Sequence, residues 1–447
     1  MDIANKKISI IGAVRSGLAA AKLALKLKAI PFVSDSSSKE KLEKNIAELE
    51  MLGIGYETGS HSEKIFDTDF IVVSPGVPQN SYPIKEAKIR GIEVISEIEF
   101  ASWFCKGTII SITGTNGKTT TTELISYILN KCGFKSYTAG NIGLAFSEIA
   151  FDVKENEFVC LETSSFQLDN IQSFKPKYSL LLNITPDHLD RYENNFELYK
   201  NSKLLVSKNQ TTEDYFIYNA DDVNILLDNI SSRKYGFSLT KKLSTGSFYT
   251  DGKLYFNDGI NEEKIIAAKE LIIKGEHNIA NSLAAINAVK LIGCSTSSIR
   301  NALASFKGVE HRIEFVRKFN GIEFYNDSKA TNVDSVWYAL RSFDKPILLI
   351  LGGKDKGNDY NQILELVRTR VRKIYALGSS ANKIYEFFKD VVEVEYKQSM
   401  NDCVIAAAAE GKKGDVVLLS PACASFDMFD NYEHRGKVFK ESVMRLS

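Results

Sequence analysis

Short apolar runs alternate with stretches of helical spacing from the start of the chain. Lys7-Ile-Ser-Ile-Ile11, Pro31-Phe-Val-Ser34 and Phe70-Ile-Val-Val-Ser74 read as strands; the second ends at Asp35 and the third at Pro75-Gly76-Val-Pro78. Between them, residues 16–27, rich in Ala, Leu and Lys, and residues 39–52 read as helices. This alternation predicts a doubly wound α/β domain. A second block opens at Thr108-Ile-Ile and leads into Thr121-Thr-Glu-Leu-Ile-Ser-Tyr-Ile-Leu129, whose apolar spacing is helical. Its further strands, Phe158-Val-Cys-Leu161 and Tyr178-Ser-Leu-Leu-Leu-Asn-Ile184, each end in a polar cluster: Glu162-Thr-Ser-Ser-Phe-Gln167 and Thr185-Pro-Asp-His-Leu-Asp-Arg191. From 215 to 257 the texture turns to β, with an Asp251-Gly252 hairpin signal, and residues 278–291 read as helix. After Phe306-Lys-Gly308 the alternation resumes, with strands at Pro346-Ile-Leu-Leu-Ile-Leu351, Lys373-Ile-Tyr-Ala-Leu377 and Asp415-Val-Val-Leu-Leu419. These shifts place domains at 1–100, 101–307 and 308–447, with no internal repeat and no low-complexity tract.

Length agrees with three domains, since 447 residues exceed one ordinary core. Lys plus Arg equals Asp plus Glu at 56 each, so no global field recruits nucleic acid or an anionic membrane. No apolar run approaches the ~18–20 residues of a spanning helix. The first residues run directly into a strand, without the pattern of a signal peptide. Six cysteines are scattered without any C-x-x-C, most in apolar contexts such as Val159-Cys160-Leu161. Reduced, buried thiols in a cytoplasmic protein are expected, and not a disulfide framework.

The densest chemistry lies in Ser111-Ile-Thr-Gly-Thr-Asn-Gly-Lys-Thr-Thr120, between a strand and a helix. Gly114 and Gly117 let backbone N–H groups approach phosphate oxygens, Lys118 adds a point charge, and Thr119 offers a hydroxyl to Mg²⁺. The strict phosphate-loop pattern wants glycine where this chain has Ile112. A bound nucleoside triphosphate is nonetheless the expectation, because the strand–turn–helix context is the confirming one. Ligands of open α/β sheets bind beyond the C-terminal strand ends, which brings Glu162 and the 185–191 cluster beside this loop. Glu162 there either faces a Mg²⁺–phosphate or is a solvated cap. The first turn, Gly12-Ala-Val-Arg-Ser-Gly17, has dinucleotide-binding spacing with Val14 in place of the middle glycine, and Asp35 stands where a ribose-binding acid belongs. It reads either as a site for a nucleotide derivative near Ser16 and Gly17 or as a structural turn. Of the five histidines, 188, 277 and 311 fall in polar strings: Pro186-Asp-His-Leu-Asp-Arg191, Gly275-Glu-His-Asn278 and Glu310-His-Arg312. Lys203, on a helix, reads on its own as a solvated surface charge.

The string Gly-Thr-Asn-Gly-Lys-Thr, those histidine strings, Glu162-Thr-Ser-Ser-Phe-Gln167 and Asn326-Asp-Ser-Lys-Ala-Thr-Asn332 together resemble the Mur ligases over the whole chain. The resemblance implies an N-terminal Rossmann-like domain for a nucleotide substrate, a central P-loop-type ATPase domain with added β structure, and a C-terminal Rossmann-like domain for an amino acid. Ser164-Ser-Phe-Gln-Leu168, Gly140-Asn-Ile-Gly143 and Ser420-Pro-Ala-Cys-Ala-Ser-Phe-Asp427 are similar to the branch that adds D-glutamate to UDP-N-acetylmuramoyl-L-alanine. The Asp-Asn-Pro-Arg string typical of the diamino-acid-adding relative is absent. The implied activity is ATP-dependent ligation through an acyl phosphate, giving ADP and phosphate, by a cytoplasmic monomer of peptidoglycan precursor synthesis.

Position by position, the resemblance gives Gly114, Thr115, Asn116, Gly117, Lys118, Thr119, Thr120, Asn278, Arg312 and Asp327 to ATP, with His311 nearby. Two Mg²⁺ ions are implied at Thr119, Glu162, His188 and Lys203, the lysine carrying CO₂ as a carbamate. Lys118, Glu162, His188 and Lys203 are the implied catalytic set. Arg15, Ser16, Asp35 and Gly76 surround UDP, and Asn141, Gln167 and His188 contact the muramoyl–alanine part. Lys329, Thr331, Lys356, Ser425 and Phe426 surround D-glutamate. One departure stands out: Ser36-Ser-Ser38 follows Asp35, where relatives often carry a basic residue. Alternatives are another ligase of the superfamily such as a folylpolyglutamate synthetase, an NAD-dependent dehydrogenase, and a phosphate-loop regulatory switch. The nucleotide-type first domain opposes the first, the missing middle glycine the second, and the polar strings outside the phosphate loop the third.

Overall fold

The structure is a computed structural model that describes residues 2–141, 143–355 and 357–447. Three sheets follow one another along the chain. The first holds β1 (Lys7–Ile11), β2 (Ile30–Asp35), β3 (Gly55–Thr58), β4 (Phe70–Val73) and β5 (Glu93–Ser96) in the order β3-β2-β1-β4-β5, all parallel. Helices cover both faces, so the apolar runs are buried: every residue of β4, and all of β1 after Lys7. Helix Arg15–Lys26 lays Leu18, Ala20, Ala21, Leu23 and Ala24 onto the sheet. Its approach requires glycine at 17, where a Cβ would stand 1.7 Å from the Gly12 carbonyl oxygen. Strand order reverses between β1 and β4, which opens the ligand crevice of a doubly wound sheet at their C-terminal ends. The expected helix over 39–52 begins as a 3₁₀ turn, Lys39–Leu42, before the α-helix Glu43–Met51. The edge strands β3 and β5 are four residues each and begin on exposed residues, too brief to show as apolar runs.

The second sheet contains β6 (Thr108–Thr113), β7 (Ser136–Gly140), β8 (Phe158–Glu162), β9 (Tyr178–Leu181), β10 (Tyr215–Asn219), β11 (Arg233–Ser238), β12 (Gly246–Thr250), β13 (Lys253–Asn257) and β14 (Glu262–Ala267). Their order is β14-β13-β12-β11-β10-β9-β6-β8-β7, parallel from β7 to β12 and antiparallel beyond. The predicted hairpin is present: Asp251 and Gly252 take φ of 48° and 73°, the positive pair of a tight turn between β12 and β13. β9 stops at Leu181, short of the predicted Ile184. Asn183 and Thr185 leave the ladder to bond the phosphate loop instead, as described below.

These two sheets belong to one compact unit, the chain up to Glu270 together with Ala280–Ala304. They share a core in which Ile10, Leu18 and Phe100 pack with Phe146, Leu168 and Phe216. A polar clamp reinforces it. Buried Glu99, on the short helix Glu97–Ser102, accepts the amides of Gln172, Ser173 and Phe174 at 2.7–2.9 Å, and the Trp103 indole N–H at 2.7 Å.

The second unit is Leu271–Ile279 with Ser305–Ser447. Its sheet contains β15 (Glu314–Phe319), β16 (Ile322–Asn326), β17 (Ile347–Gly352), β18 (Val371–Leu377), β19 (Glu393–Tyr396) and β20 (Val416–Leu419), ordered β15-β16-β20-β17-β18-β19. Only β15 is antiparallel to its neighbour. The all-buried β17 lies near the centre, with apolar clusters on both faces. Among the described residues no helix is long and apolar enough to cross a membrane. All six cysteines are free.

The clamp generates a pH-dependent expectation. Burial opposes ionisation of Glu99, but the Ser173 hydroxyl and amide, the Gln172 amide and the Trp103 N–H outweigh it and hold the carboxyl below its ordinary 4.5. A depressed carboxyl stabilises the fold above that value and stops doing so as pH falls through the native pKa. Glu99→Gln should therefore cost about 1.5–3 kcal/mol at pH 7, and less at pH 4, in urea unfolding. An equal cost at both values would show that charge plays no part.

Candidate active site

The phosphate loop joins β6 to helix Lys118–Lys131, with Gly114 and Gly117 at φ of 149° and 85°. A Cβ on Gly117 would meet Asn281 Oδ1 at 2.4 Å, so glycine is needed for space as well as for conformation. Neighbouring segments fix the loop from outside. The Asn116 amide donates to Asn183 Oδ1 at 2.8 Å, and Asn183 Nδ2 donates to the Asn116 carbonyl at 3.0 Å. Thr115 Oγ1 donates to the Thr185 carbonyl and accepts the Thr185 amide, both at 3.0 Å, with the Tyr199 hydroxyl 3.1 Å away. At the helix start Thr119 Oγ1 donates to Glu162 Oε2 at 2.8 Å, and Asn141 Nδ2 donates to Glu162 Oε1 at 3.0 Å. Both Thr119 and Thr120 are buried. A helix N-terminus bearing a hydroxyl beside a 2%-exposed carboxylate is an all-oxygen donor set, the kind that suits Mg²⁺.

Lys203, read from its surroundings in sequence as a solvated charge, is instead only 2% exposed. Helix Phe196–Leu204 turns it inward, where its Nζ donates to the Gly114 carbonyl at 2.9 Å and lies 4.6 Å from the Tyr199 ring centre. Lys118 Nζ donates to the same carbonyl at 2.8 Å, and to that of Thr115 at 2.8 Å. Burial, and then the charge of Lys118, push the Lys203 amine well below its ordinary pKa, against the pull of Asp187, Asp169 and Glu162. The neutral form of Lys203 is therefore favoured far more than that of an exposed lysine. His188, exposed and in left-handed backbone at φ 51°, presents its ring edge-on to Phe166 at 5.2 Å. Gln167 is buried; its Oε1 accepts from Ser164, while Nε2 has no partner among the described residues.

At the crevice of the first sheet, Arg15 is exposed and Ser16 half-buried at the start of their helix. Asp35 accepts the Ala13 amide on Oδ2 and the Ser37 amide on Oδ1, each at 2.7 Å. Arg15 Nη2 reaches the Asn141 carbonyl at 3.2 Å, and Arg191, whose guanidinium covers the Phe166 ring at 4.1 Å, donates to the Gly76 carbonyl at 3.4 Å. The crevice is therefore linked through Asn141 to Glu162.

In the second unit, buried Asn278 donates to the Lys274 carbonyl at 2.8 Å, and half-buried Arg312 follows buried His311. His277 is pushed down to about 4 by burial and then by the charge of Arg312. Asp327 accepts the Ser420 hydroxyl at 2.8 Å and the Ile313 amide at 3.3 Å. Lys329 Nζ lies 5.3 Å from the Tyr432 ring centre, and the Thr331 amide donates to the Lys329 carbonyl. Ser425 is buried and Phe426 69% exposed. Lys356 lies outside the described residues. Glu310, His311 and Glu314 could group around a cation, but the Lys440 ammonium bonds both carboxylates and supplies that charge itself.

Comparison with known proteins decides the family. Residues 6–96 match the Mur ligase MurD-like N-terminal domain, 112–289 the Mur ligase middle domain, and 311–423 the Mur ligase glutamate ligase domain. The UDP-N-acetylmuramoylalanine–D-glutamate ligase of Chloroherpeton thalassium is 43% identical, with 100% of this chain and 99% of that one covered. The chain belongs to the Mur ligase family. The protein of the same name from Christiangramia forsetii is 44% identical over 99% of this chain and 100% of that one. Among solved structures, MurC of Thermotoga maritima aligns at a TM-score of 0.62 and 18% identity, covering 98% of this chain and 99% of that one. MurF of Thermotoga maritima in complex with ADP gives 0.61 at 16% identity, covering 93% and 95%. The three-domain α/β architecture is that of the Mur ligases, and membership sets aside the dehydrogenase and the bare switch.

For this Mur ligase, sequence reasoning missed Arg435. Its guanidinium, 1% exposed, donates from Nε to Ser328 Oγ at 3.0 Å, from Nη2 to the Ser328 carbonyl at 2.7 Å, and from Nη1 to the Cys423 carbonyl at 3.0 Å. It ties the loop bearing Lys329 to the loop bearing Ser425, from a helix whose sequence gives no sign of it.

Asp327 yields a second prediction. Burial raises its carboxyl from 3.8 to about 7, against Arg312 and the hydrogen bonds from Ser420 and Ile313. A raised carboxyl favours the fold while protonated, so this contribution is complete below 3.8 and is lost as pH rises through about 7. Asp327→Asn should flatten the fall in stability between pH 4 and 7 followed by urea unfolding. An unchanged slope would place that titration elsewhere.

Proposed function

We propose that this chain joins D-glutamate to the alanyl carboxylate of UDP-N-acetylmuramoyl-L-alanine in the cytoplasm, with ATP converted to ADP and phosphate. The single observation that carries the reading is Thr119 bonded to buried Glu162 at the mouth of the Gly114–Lys118 loop. Full-length likeness to ligases of that name supports it. Residues 1–100 take the UDP-substrate, 101–307 the ATP, and 308–447 the amino acid.

A carboxylate is a poor electrophile. One of its oxygens first attacks the γ-phosphorus of ATP and ADP leaves, giving an acyl phosphate. The amine of D-glutamate then attacks the acyl carbon, phosphate departs, and the amine loses a proton. Phosphoryl transfer asks mainly for positioning and charge stabilisation. Loop amides cradle the phosphates, and Lys118 exchanges the Gly114 and Thr115 carbonyls for phosphate oxygens. Thr119 and Glu162 would hold Mg²⁺, with His188 and Lys203 serving a second ion. When bound, magnesium lets the two anionic substrates approach each other. Asn278, Arg312 and Asp327 serve ATP. Asn141 and Gln167 meet the muramoyl–alanine part, Gln167 with its unmet Nε2 donor. Lys329, Thr331, Lys356, Ser425 and Phe426 receive D-glutamate, the first four supplying polar groups for its carboxylates.

The lowered pKa of Lys203 favours one further step: the unprotonated amine attacks CO₂, a proton leaves, and a carbamate replaces the amine. An ammonium about 4 Å from Mg²⁺ would cost about 8 kcal/mol at an effective dielectric of 20. The carbamate reverses that sign and brings oxygen ligands.

The decisive assay is multiple-turnover ADP release that requires both UDP-N-acetylmuramoyl-L-alanine and D-glutamate; sustained turnover with either alone would sink the reading. Lys118→Ala should lower that release by at least about a hundredfold with the fold retained, as loss of a charge that stabilises a transition state does. Near-normal turnover would remove the loop from the mechanism. Lys203→Ala should be similarly inactive yet partly restored by short carboxylic acids, and not by neutral amides of the same size. Full activity without any acid would end the carbamate proposal.

A further inference from the structure

The loop after β3 carries a hydrogen-bond chain that ligation does not use. Ser34 on β2 stands opposite Glu57 on β3, and its hydroxyl donates to Glu57 Oε1 at 2.7 Å. The same Ser34 oxygen lies 2.7 Å from His61 Nδ1. Ser62 holds the far side of Glu57, its amide donating to Oε1 at 2.9 Å and its hydroxyl to Oε2 at 2.5 Å. Burial opposes ionisation of Glu57, but the Ser62 hydroxyl and amide and the Ser34 hydroxyl outweigh it and keep the carboxyl below its usual range. Glu57 is therefore an acceptor only. Ser34 has a single proton and gives it to Glu57, so its oxygen accepts from His61 Nδ1–H. This fixes the tautomer and leaves a lone pair on Nε2. Burial lowers the His61 pKa against the pull of Glu57 and Asp35, so the ring is neutral at pH 7. Ser34 is completely buried, so a Ser–His–Glu nucleophile is excluded: no substrate carbonyl reaches that oxygen.

The chain ends at the rim of the first-sheet crevice. The Gly59 amide donates to the Asp35 and Ser37 carbonyls at 2.9 Å each, which ties the His61 loop to the Asp35 loop. Both Asp35 carboxylate oxygens already accept backbone amides. Ser36-Ser-Ser38 brings no basic or aromatic side chain to the rim. His61, half-buried, brings both a ring face and an acceptor, and among the described residues nothing donates to its Nε2.

We propose that His61 reads the base of the nucleotide substrate, its Nε2 accepting the N3–H of uracil. The inference rests on the assignment of the first domain to the UDP-substrate. A pyrimidine that donates at N3 is selected, because cytosine would place its own N3 lone pair against that of Nε2. A site built around one hydrogen bond rejects the analogue that cannot complete it.

The test is the Kd of UDP and of CDP for the full chain and for His61→Ala and His61→Phe, the second keeping the ring's bulk should the first unfold. The wild type should prefer UDP by about tenfold, the equivalent of one hydrogen bond. In either folded variant the preference should shrink to within about twofold, through weaker UDP binding. A preference that survives in His61→Phe, or equal losses for UDP and CDP, overturns the role of His61. Absence of UDP binding to the wild type would instead bring down the substrate assignment itself, and this inference with it.

Discussion

One carbonyl oxygen, that of Gly114, accepts from two lysine amines, and much of the central site follows from that crowding. Two ammonium groups about 4 Å apart would repel by about 4 kcal/mol at an effective dielectric of 20. The cost is lessened because burial and the charge of Lys118 favour the neutral form of Lys203, while Lys118 itself is only half-buried. To deliver Lys203 there, helix Phe196–Leu204 must lie against the phosphate loop, which places Tyr199 beside Thr115. The same requirement draws Asn183 and Thr185 off the end of β9. A reactive amine, a rigid loop and a shortened strand are thus three results of one contact.

The second sheet and the crevice show how much of this was written along the chain. The phosphate loop was legible because its residues are contiguous: a strand, two glycines, Lys-Thr and a helix carry their meaning in order. Central strands such as β4 and β17 were legible because burial on both faces leaves nothing but apolar residues. Glu162 was found at a strand end, but its bonds to Thr119 and Asn141 come from segments far away in sequence. Lys203 reads alone as a solvated charge, because no local pattern separates an inward lysine from a solvated one; its burial against Gly114 is visible only in the folded chain. Arg435 and the Ser34–Glu57–His61 chain left no local trace at all. Each depends on register between strands or on a helix meeting two loops, and such contacts exist only once the tertiary structure has formed.

Charge placement follows a common rule across the molecule. Buried Glu99 and half-buried Glu57 are held in their ionised form by several converging N–H or O–H donors. With fewer donors, burial wins: Asp327 rises to about 7, and Glu97, bonded to the Ser147 amide, rises to about 6. Number of donors and depth together decide which carboxyls act as fixed negative charges and which can exchange a proton near neutrality.

The core shared by the first two sheets also governs the order of events during synthesis. Phe100 and Ile10 lie in the same apolar cluster as Phe216 and Ile225. After β5 leaves the ribosome at Ser96, on the order of ten seconds pass at about 5–20 residues per second before Ile225 appears. Completion waits longer still, because Ala280–Ala304 returns to this unit after Leu271–Ile279 has been assigned to the other. For that interval the nascent first domain carries an uncovered apolar flank. Transiently exposed surface of that kind is what makes a growing chain prone to aggregate.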